Sequence, residues 1–241
     1  MIRIAAVVPA FNEEESIADV ISSLNNIHIE GVELLPVVVN DCSTDSTAEI
    51  VLKQESDNSS ARVVLLDLPV NLGIGGAVQT GFKYAFEKGF DYVIQVDGDG
   101  QHPASEIPKL FNAIRELKAN VVIGSRFIKK KGFQSTGMRR LGINYLKNLI
   151  RLLTGISILD NTSGFRMLDR KALSIVNDYY PDEYPEPESI IMYVKNGLNI
   201  LEVPVKMEER KGGVSSIRYF DQLYYMVKVS LAIVYSYIRN K

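Results

Sequence analysis

The 241 residues contain a single cysteine, Cys42, which excludes an intrachain disulfide framework and a multi-cysteine zinc site and is compatible with a reducing compartment. A surplus of basic charge is also missing. With 27 Lys and Arg against 29 Asp and Glu, the whole-molecule field excludes a polybasic nucleic-acid binder, so electrostatic function must come from local clusters. The N-terminus has no basic region followed by a long apolar stretch and a small-residue cleavage site; it opens directly on a strand-like run, Ile2 to Pro9. No internal repeat or low-complexity tract is present. The expectation is a cytoplasmic protein whose 46% apolar content suffices for one sizeable core.

Present instead is an alternation of short β-branched runs with helical segments. Strands are expected at Ile4–Val8, Leu34–Val39, Val63–Leu66 and Tyr92–Val96, and helices at Glu13–Leu24, Ser46–Glu55 and Gly75–Lys88. This is the βαβ pattern of an α/β fold with a mostly parallel central sheet flanked by helices. Continuous apolar runs such as Val37-Val38-Val39 read as strands buried on both faces, and ligands in such sheets gather at the strands' carboxyl ends.

After Gly124 the pattern changes. From Lys129 to Arg151 stand Lys129, Lys130, Lys131, Arg139, Arg140, Lys147 and Arg151 with no acidic residue, and Leu141, Tyr145, Leu149 and Leu152 recur at helical spacing. The segment 129–154 therefore reads as a basic amphipathic helix suited to a membrane surface, since anionic lipid attracts clustered Lys and Arg. The last apolar stretch, Gln222 to Ile238, falls short of the roughly 20 residues that cross a bilayer and reads as an interfacial helix. Core packing or a dimer contact would also account for both helices.

The polar residues behind the strands carry the chemistry. Gln95-Val96-Asp97-Gly98-Asp99-Gly100-Gln101-His102-Pro103 follows a buried strand, and two carboxylates one glycine apart can turn toward one ligand. A hard divalent cation takes oxygen ligands and keeps positions for substrate phosphates. Asp99 is the expected metal ligand, with Gln101 assisting and Asp97 nearer the nucleoside; an ordinary acidic turn would look the same in isolation. Val7-Val8-Pro9-Ala10-Phe11-Asn12-Glu13-Glu14-Glu15 follows the first strand, where a helix with an acidic first turn is expected. Asn40-Asp41-Cys42-Ser43-Thr44-Asp45-Ser46 follows the second, with Asp45 or Ser46 as a helix cap. Three strand ends thus put acidic groups on one rim. Such a rim repels a polyphosphate unless a cation intervenes, while its carboxylates can accept from ribose hydroxyls and base N–H groups.

These motifs, together with Asn71-Leu72-Gly73, Gly75-Gly76-Ala77, Gly124-Ser125-Arg126, Thr162-Ser163-Gly164-Phe165-Arg166 and Glu202-Val203-Pro204-Val205, resemble glycosyltransferase family 2, most closely its polyprenyl-phosphate branch, the dolichyl-phosphate mannose synthase-like enzymes. The resemblance spans roughly residues 2 to 216. It implies a GT-A fold, an inverting transfer from a nucleotide diphosphate sugar, and Mg²⁺ or Mn²⁺. It also implies a catalytic domain over 1–216 followed by an amphipathic helix over 217–241. By the same resemblance Pro9, Phe11, Glu13, Val39 and Asp41 surround the nucleoside, and Asp97, Gly98, Asp99 and Gln101 the diphosphate and metal. Arg126, one of Arg139 and Arg140, and Arg210 fall where the family keeps basic groups for donor diphosphate or acceptor phosphate.

Two departures bear on the acceptor. A lysine expected at position 216 is Ser216, with Lys211 nearby, and Tyr184-Pro185-Glu186-Pro187-Glu188 is an acidic stretch where hydroxyl-glycosylating relatives carry a catalytic base. A lipid monophosphate is already a nucleophile at neutral pH, whereas a sugar hydroxyl must lose a proton. The expected acceptor is a membrane polyprenyl phosphate. The alternative is a hydroxyl of a lipid-linked or polysaccharide acceptor, with Glu188 or Glu186 as base. A UDP-sugar is the expected donor and the inner membrane surface the expected location, where a membrane-embedded partner subunit would supplement so small an anchor. Gly73-Ile74-Gly75-Gly76 is not a dinucleotide fingerprint, since Val78 stands where the third glycine belongs. A silent nucleotide-sugar-binding module is disfavoured by the intact Asp97, Asp99 and Gln101.

Overall fold

The computed structural model describes residues 1–56, 62–129, 137–208 and 221–239, without the side chains of 55, 56, 137–139, 221–223 and 225. Its strands are β1 (Ile2–Ala10), β2 (Val32–Asn40), β3 (Val64–Asp67), β4 (Tyr92–Gln95), β5 (Val121–Ser125), β6 (Arg166–Asp169) and β7 (Ile200–Pro204). They form one seven-stranded sheet in the order β3-β2-β1-β4-β6-β5-β7. All neighbours are parallel except β6, which runs antiparallel to both β4 and β5. The mostly parallel sheet expected from the sequence is therefore present.

Alternation along β1 feeds two apolar layers, because successive side chains leave opposite faces of a strand. Ala5 and Val7 pack with Phe82 of α3 (Gly73–Glu87), Leu173 of α6 (Arg170–Asp178) and Ile190 of α7 (Pro185–Lys195). Ile4, Ala6 and Val8 pack with Ile17 and Ile21 of α1 (Ile17–Asn25), Val51 of α2 (Thr47–Ser56) and Phe111 of α4 (Ile107–Glu116).

One helix starts later than the sequence suggests. Residues 14–16 form a turn and α1 begins at Ile17, with Asp19 in its first turn. The reason is tertiary: the backbone N–H groups of Glu13 and Glu14 donate to Thr47 Oγ1 (2.9 Å) and Asp45 Oδ2 (3.1 Å). Glu14 Oε2 in return accepts from the Ser46 N–H at 3.0 Å. Of the two expected caps of α2, Asp45 accepts through Oδ1 from the N–H of Thr47, the helix's first residue, at 3.0 Å.

The basic segment supplies α5 (Gly137–Thr154), and the C-terminal stretch α8 (Asp221–Ile238). The core-facing side of α5 is Ile143, Leu146 and Ile150, while Leu141, Tyr145 and Leu152 of the anticipated apolar stripe are exposed and Leu149 is half-buried. Only Val229 and Ile233 of the described α8 side chains are buried, leaving Tyr224, Val227, Leu231, Tyr235 and Ile238 in solvent. Lys195 Nζ donates to the carbonyls of Ser236 and Tyr237 at 3.2 and 3.0 Å, tying the end of α8 to α7. No helix among the described residues is long and apolar enough to cross a membrane.

Candidate active site

A cleft of ≈ 410 Å³ opens at the carboxyl ends of β1, β2 and β4. The parallel register brings Ala10 beside Asn40 and Val7 beside Gln95, so the residues that follow each strand meet on one rim. Pro9, Phe11 and Glu13 line it from β1, Asp41 from β2, and Asp97, Gly98 and Asp99 from β4. The far wall comes from Asn71, Gly73, Ile74 and Ala77 at the start of α3 and from Glu186 in the first turn of α7. The segment leading into α7 comes close to α3 because Gly75 has no side chain: a Cβ there would overlap the carbonyls of Pro181 and Asp182.

Local bonds fix the direction of each carboxylate. Asp41 Oδ1 accepts from the Leu72 N–H at 2.7 Å, and Asn71 Nδ2 donates to the Asp41 carbonyl at 3.0 Å. Asp99 Oδ1 accepts from the Gln101 N–H at 3.0 Å, and Gln95 Nε2 approaches Asp97 Oδ1 at 3.3 Å. That last approach needs Gly164, where a Cβ would stand 2.6 Å from Gln95 Nε2.

Several expected site residues lie elsewhere. Val39 is fully buried in the core, its side chain beside Gly81 of α3, and does not line the cleft. Gln101 is half-buried next to the turn and does not line it either. Arg126, 7% exposed, is committed to an ion pair: its Nε and Nη2 donate to Asp160 Oδ2 and Oδ1 at 2.8 and 2.6 Å, and Nη2 also reaches Thr162 Oγ1 at 3.2 Å. Burial opposes the charge of Arg126, but paired Asp160 outweighs it and raises the guanidinium, with Asp97 and Glu186 adding to the effect. A second carboxylate lies beside the pair. Glu202 is raised by burial while accepting from the Leu159 and Asp160 N–H groups at 2.7 and 2.8 Å. Arg140 is exposed on α5; the side chain of Arg139, and Arg210 with Lys211 and Ser216, lie outside the described residues.

The two glutamates of the Pro-Glu-Pro-Glu stretch separate. Glu186 faces the cleft, whereas Glu188, 7% exposed, turns the other way and accepts from Ser236 Oγ of α8 at 2.9 Å. A base acting in the cleft would accordingly be Glu186, not Glu188. Burial raises the Glu188 carboxyl, with the Ser236 bond working against the shift. A raised acid holds its proton in the folded state over pH values where the unfolded chain has lost it, so its contribution falls as pH rises above about 4.5. Glu188→Gln, always neutral, is expected to unfold like the parent near pH 4 and to be the more stable of the two at pH 8. Thermal melts across that range check this, and a parent advantage growing with pH would contradict it.

Sequence reasoning passed over Ser16, Gln95 and His102 as functional residues, although the last two stand in the quoted Asp97–Asp99 motif. Their contacts reach across the fold: Ser16 Oγ donates to the Gly98 carbonyl, 82 positions away, at 2.7 Å. No periodicity signals such a bond.

Known proteins resemble the chain over most of its length. A likeness of 32% identity over 213 residues, 83% of each chain, links it to the UDP-N-acetylglucosamine--dolichyl-phosphate N-acetylglucosaminyltransferase of Methanococcus voltae. The undecaprenyl-phosphate mannosyltransferase of Micrococcus luteus is 28% identical over 89% of this chain and 87% of its own. In three dimensions the chain resembles glucosyl-3-phosphoglycerate synthase from Mycobacterium tuberculosis, solved with Mn²⁺, UDP and glucosyl-3-phosphoglycerate. That match has a TM-score of 0.69 and 24% identity, and covers 98% of this chain and 79% of the other. The GT-A architecture anticipated from the motifs is thereby established. The model of glycosyl transferase family 2 matches residues 5–176, which hold all of the cleft lining except Glu186, and the chain belongs to glycosyl transferase family 2.

Proposed function

We propose that the chain is an inverting transferase that moves a sugar from a nucleotide diphosphate donor, a UDP-sugar, to the phosphate of a membrane polyprenyl phosphate. The observation that carries this reading is the likeness, over 83% of both chains, to an enzyme named for a UDP-sugar and dolichyl phosphate. The cleft suits such a donor. Pro9, Phe11, Glu13 and Asp41 hold the nucleoside; a carboxylate such as Asp41, one oxygen already fixed by Leu72, offers its other lone pairs to base and ribose donors.

Asp99, with Asp97 beside it, holds Mg²⁺ or Mn²⁺ against the diphosphate. The donor set fits a hard cation: carboxylate oxygens on a cleft wall would hold it and leave positions for substrate phosphate oxygens. The bound cation supplies charge neutralisation for the departing nucleotide diphosphate. The lipid phosphate oxygen forms its bond to the anomeric carbon on the face opposite the diphosphate as that bond breaks, which inverts the centre. Arg126, kept charged by Asp160, adds a positive field beside Asp97 and Glu186. Arg139, Arg140 and Arg210 are the remaining proposed phosphate ligands.

The facing of Glu186 into the cleft favours one second reading, transfer to a hydroxyl with Glu186 as general base. Glu186→Gln separates the two. With a phosphate nucleophile no proton has to be removed, and turnover is expected to fall less than about tenfold; a hydroxyl nucleophile would lose roughly 10² to 10⁴-fold.

The proposed location is the inner membrane surface. Support comes from the exposed Leu141, Tyr145, Leu152, Tyr224, Leu231 and Tyr235 of α5 and α8, flanked by exposed Arg140 and Arg151. Binding to anionic vesicles is expected to weaken as salt rises through the range where the screening length drops to about 8 Å. Glutamine at Lys129, Lys130, Lys131, Arg139, Arg140, Lys147 and Arg151 should weaken it further. Binding indifferent to salt would contradict the placement.

A further inference from the structure

His102 sits behind the Asp97–Asp99 turn, 6% exposed, with its ring stacked on Phe165 at a centroid distance of 4.9 Å and an interplanar angle of 29°. Its Nδ1 accepts from the Asp97 backbone N–H at 3.0 Å. That bond requires the tautomer with its proton on Nε2, and Nε2 lies 3.6 Å from Asp97 Oδ2. The position in the sheet explains why an acceptor is needed. The Val96 N–H, just past the end of β4, still bonds to the Val7 carbonyl at 2.9 Å, but for the next residue, Asp97, the ring of His102 takes the place of a neighbouring strand. Phe165, the other side of the stack, is itself packed so tightly on Gly124 that a Cβ there would stand 2.7 Å from its ring. The imidazole thus links the acidic turn to the Gly124-Ser125-Arg126 and Thr162–Arg166 segments.

We infer that His102 is a positioning residue for the donor diphosphate and its cation: through the Nδ1 bond to the Asp97 N–H it sets the direction in which Asp97 and Asp99 face the cleft. A backbone donor left buried without an acceptor is costly, and the turn can relieve this by rotating, which would move both carboxylates and leave the sheet untouched. Ser16, bonded to the Gly98 carbonyl at 2.7 Å, holds the middle of the turn but offers Asp97 N–H no substitute acceptor. The inference rests on the reading of this turn as the diphosphate and metal site.

Two substitutions divide the ring's functions. His102→Phe keeps an aromatic ring against Phe165 and removes the acceptor; His102→Asn removes the stack and keeps an acceptor, since the amide Oδ1 hangs from Cγ as Nδ1 does. The readout is the affinity for UDP or GDP, whichever the parent binds, titrated with and without Mn²⁺, alongside thermal unfolding. His102→Phe is expected to weaken Mn²⁺-dependent nucleotide binding about tenfold, the upper range for one hydrogen bond, while metal-free binding stays at the parent level and His102→Asn stays within about threefold of the parent. Should His102→Phe not fold, His102→Leu takes its place in the comparison. A purely structural residue would lower the melting temperature and leave the Mn²⁺ dependence alone. Equal Mn²⁺-dependent binding by the parent and His102→Phe, or equal impairment in His102→Asn and His102→Phe, overturns the inference while leaving the site reading standing. A parent whose nucleotide binding ignores Mn²⁺ overturns the site reading and the inference with it.

Discussion

Replacing Asp99 by alanine is expected to lower sugar transfer at least about 10²-fold, the scale on which removal of one preorganised electrostatic stabiliser acts, while the protein stays folded. The half-buried Asp99 stands on the cleft wall outside both apolar layers, and its Oδ1 bond to the Gln101 N–H is local to the turn. On the proposed reading, the substitution removes the carboxylate that would retain the cation against the leaving diphosphate. Steady-state turnover with Mn²⁺, measured together with a thermal melt, checks both halves. Near-normal, metal-dependent turnover would remove Asp99 from the site.

The second large effect is on stability. Asp160→Ala is expected to cost about 3–5 kcal/mol, because it leaves the Arg126 guanidinium buried without its counter-charge. Asp160 is fully buried, and its two oxygens receive Arg126 Nε, Nη2 and backbone N–H within 2.9 Å. Against a typical total stability of about 5–15 kcal/mol, that loss would lower the melting temperature by roughly 6 to 20 °C for a chain of this size. Removing both charges together, as Arg126→Met with Asp160→Leu, should recover much of the loss, since an apolar pair of similar volume can replace a buried ion pair at little cost. A single substitution costing less than about 1 kcal/mol would place the pair in the range of solvated surface bridges.

The contrast between Asp99 and Arg126 shows what the sequence could convey. Continuous apolar runs located β1, β2 and β4, and the motifs straight after them hold Phe11, Asp41 and Asp97, which line the cleft, because a parallel sheet puts those positions on one edge. Direction was harder to read. Val39 and Asp41 are two positions apart near the same strand end, yet Val39 packs on α3 and Asp41 faces the cleft; helix α3 decides this, from residues some 35 positions on. Glu186 and Glu188 are separated by one proline, and the docking of Ser236 from α8 settles which turns inward. The start of α1 moved for the same kind of reason, the Asp45 and Thr47 side chains taking the N–H groups of Glu14 and Glu13. Local pattern fixed where the chain turns; contacts distant in sequence fixed where the side chains point.

One assay tests the pairing of donor and acceptor directly: transfer of labelled sugar from UDP-sugars with Mn²⁺, offered undecaprenyl phosphate in one arm and saccharide acceptors in the other. The expected product is a glycosyl-phospholipid that retains a single phosphate, formed only with the polyprenyl phosphate and releasing free sugar in mild acid. Label appearing in a saccharide and none in the lipid would contradict it and make this a hydroxyl-glycosylating transferase working through Glu186.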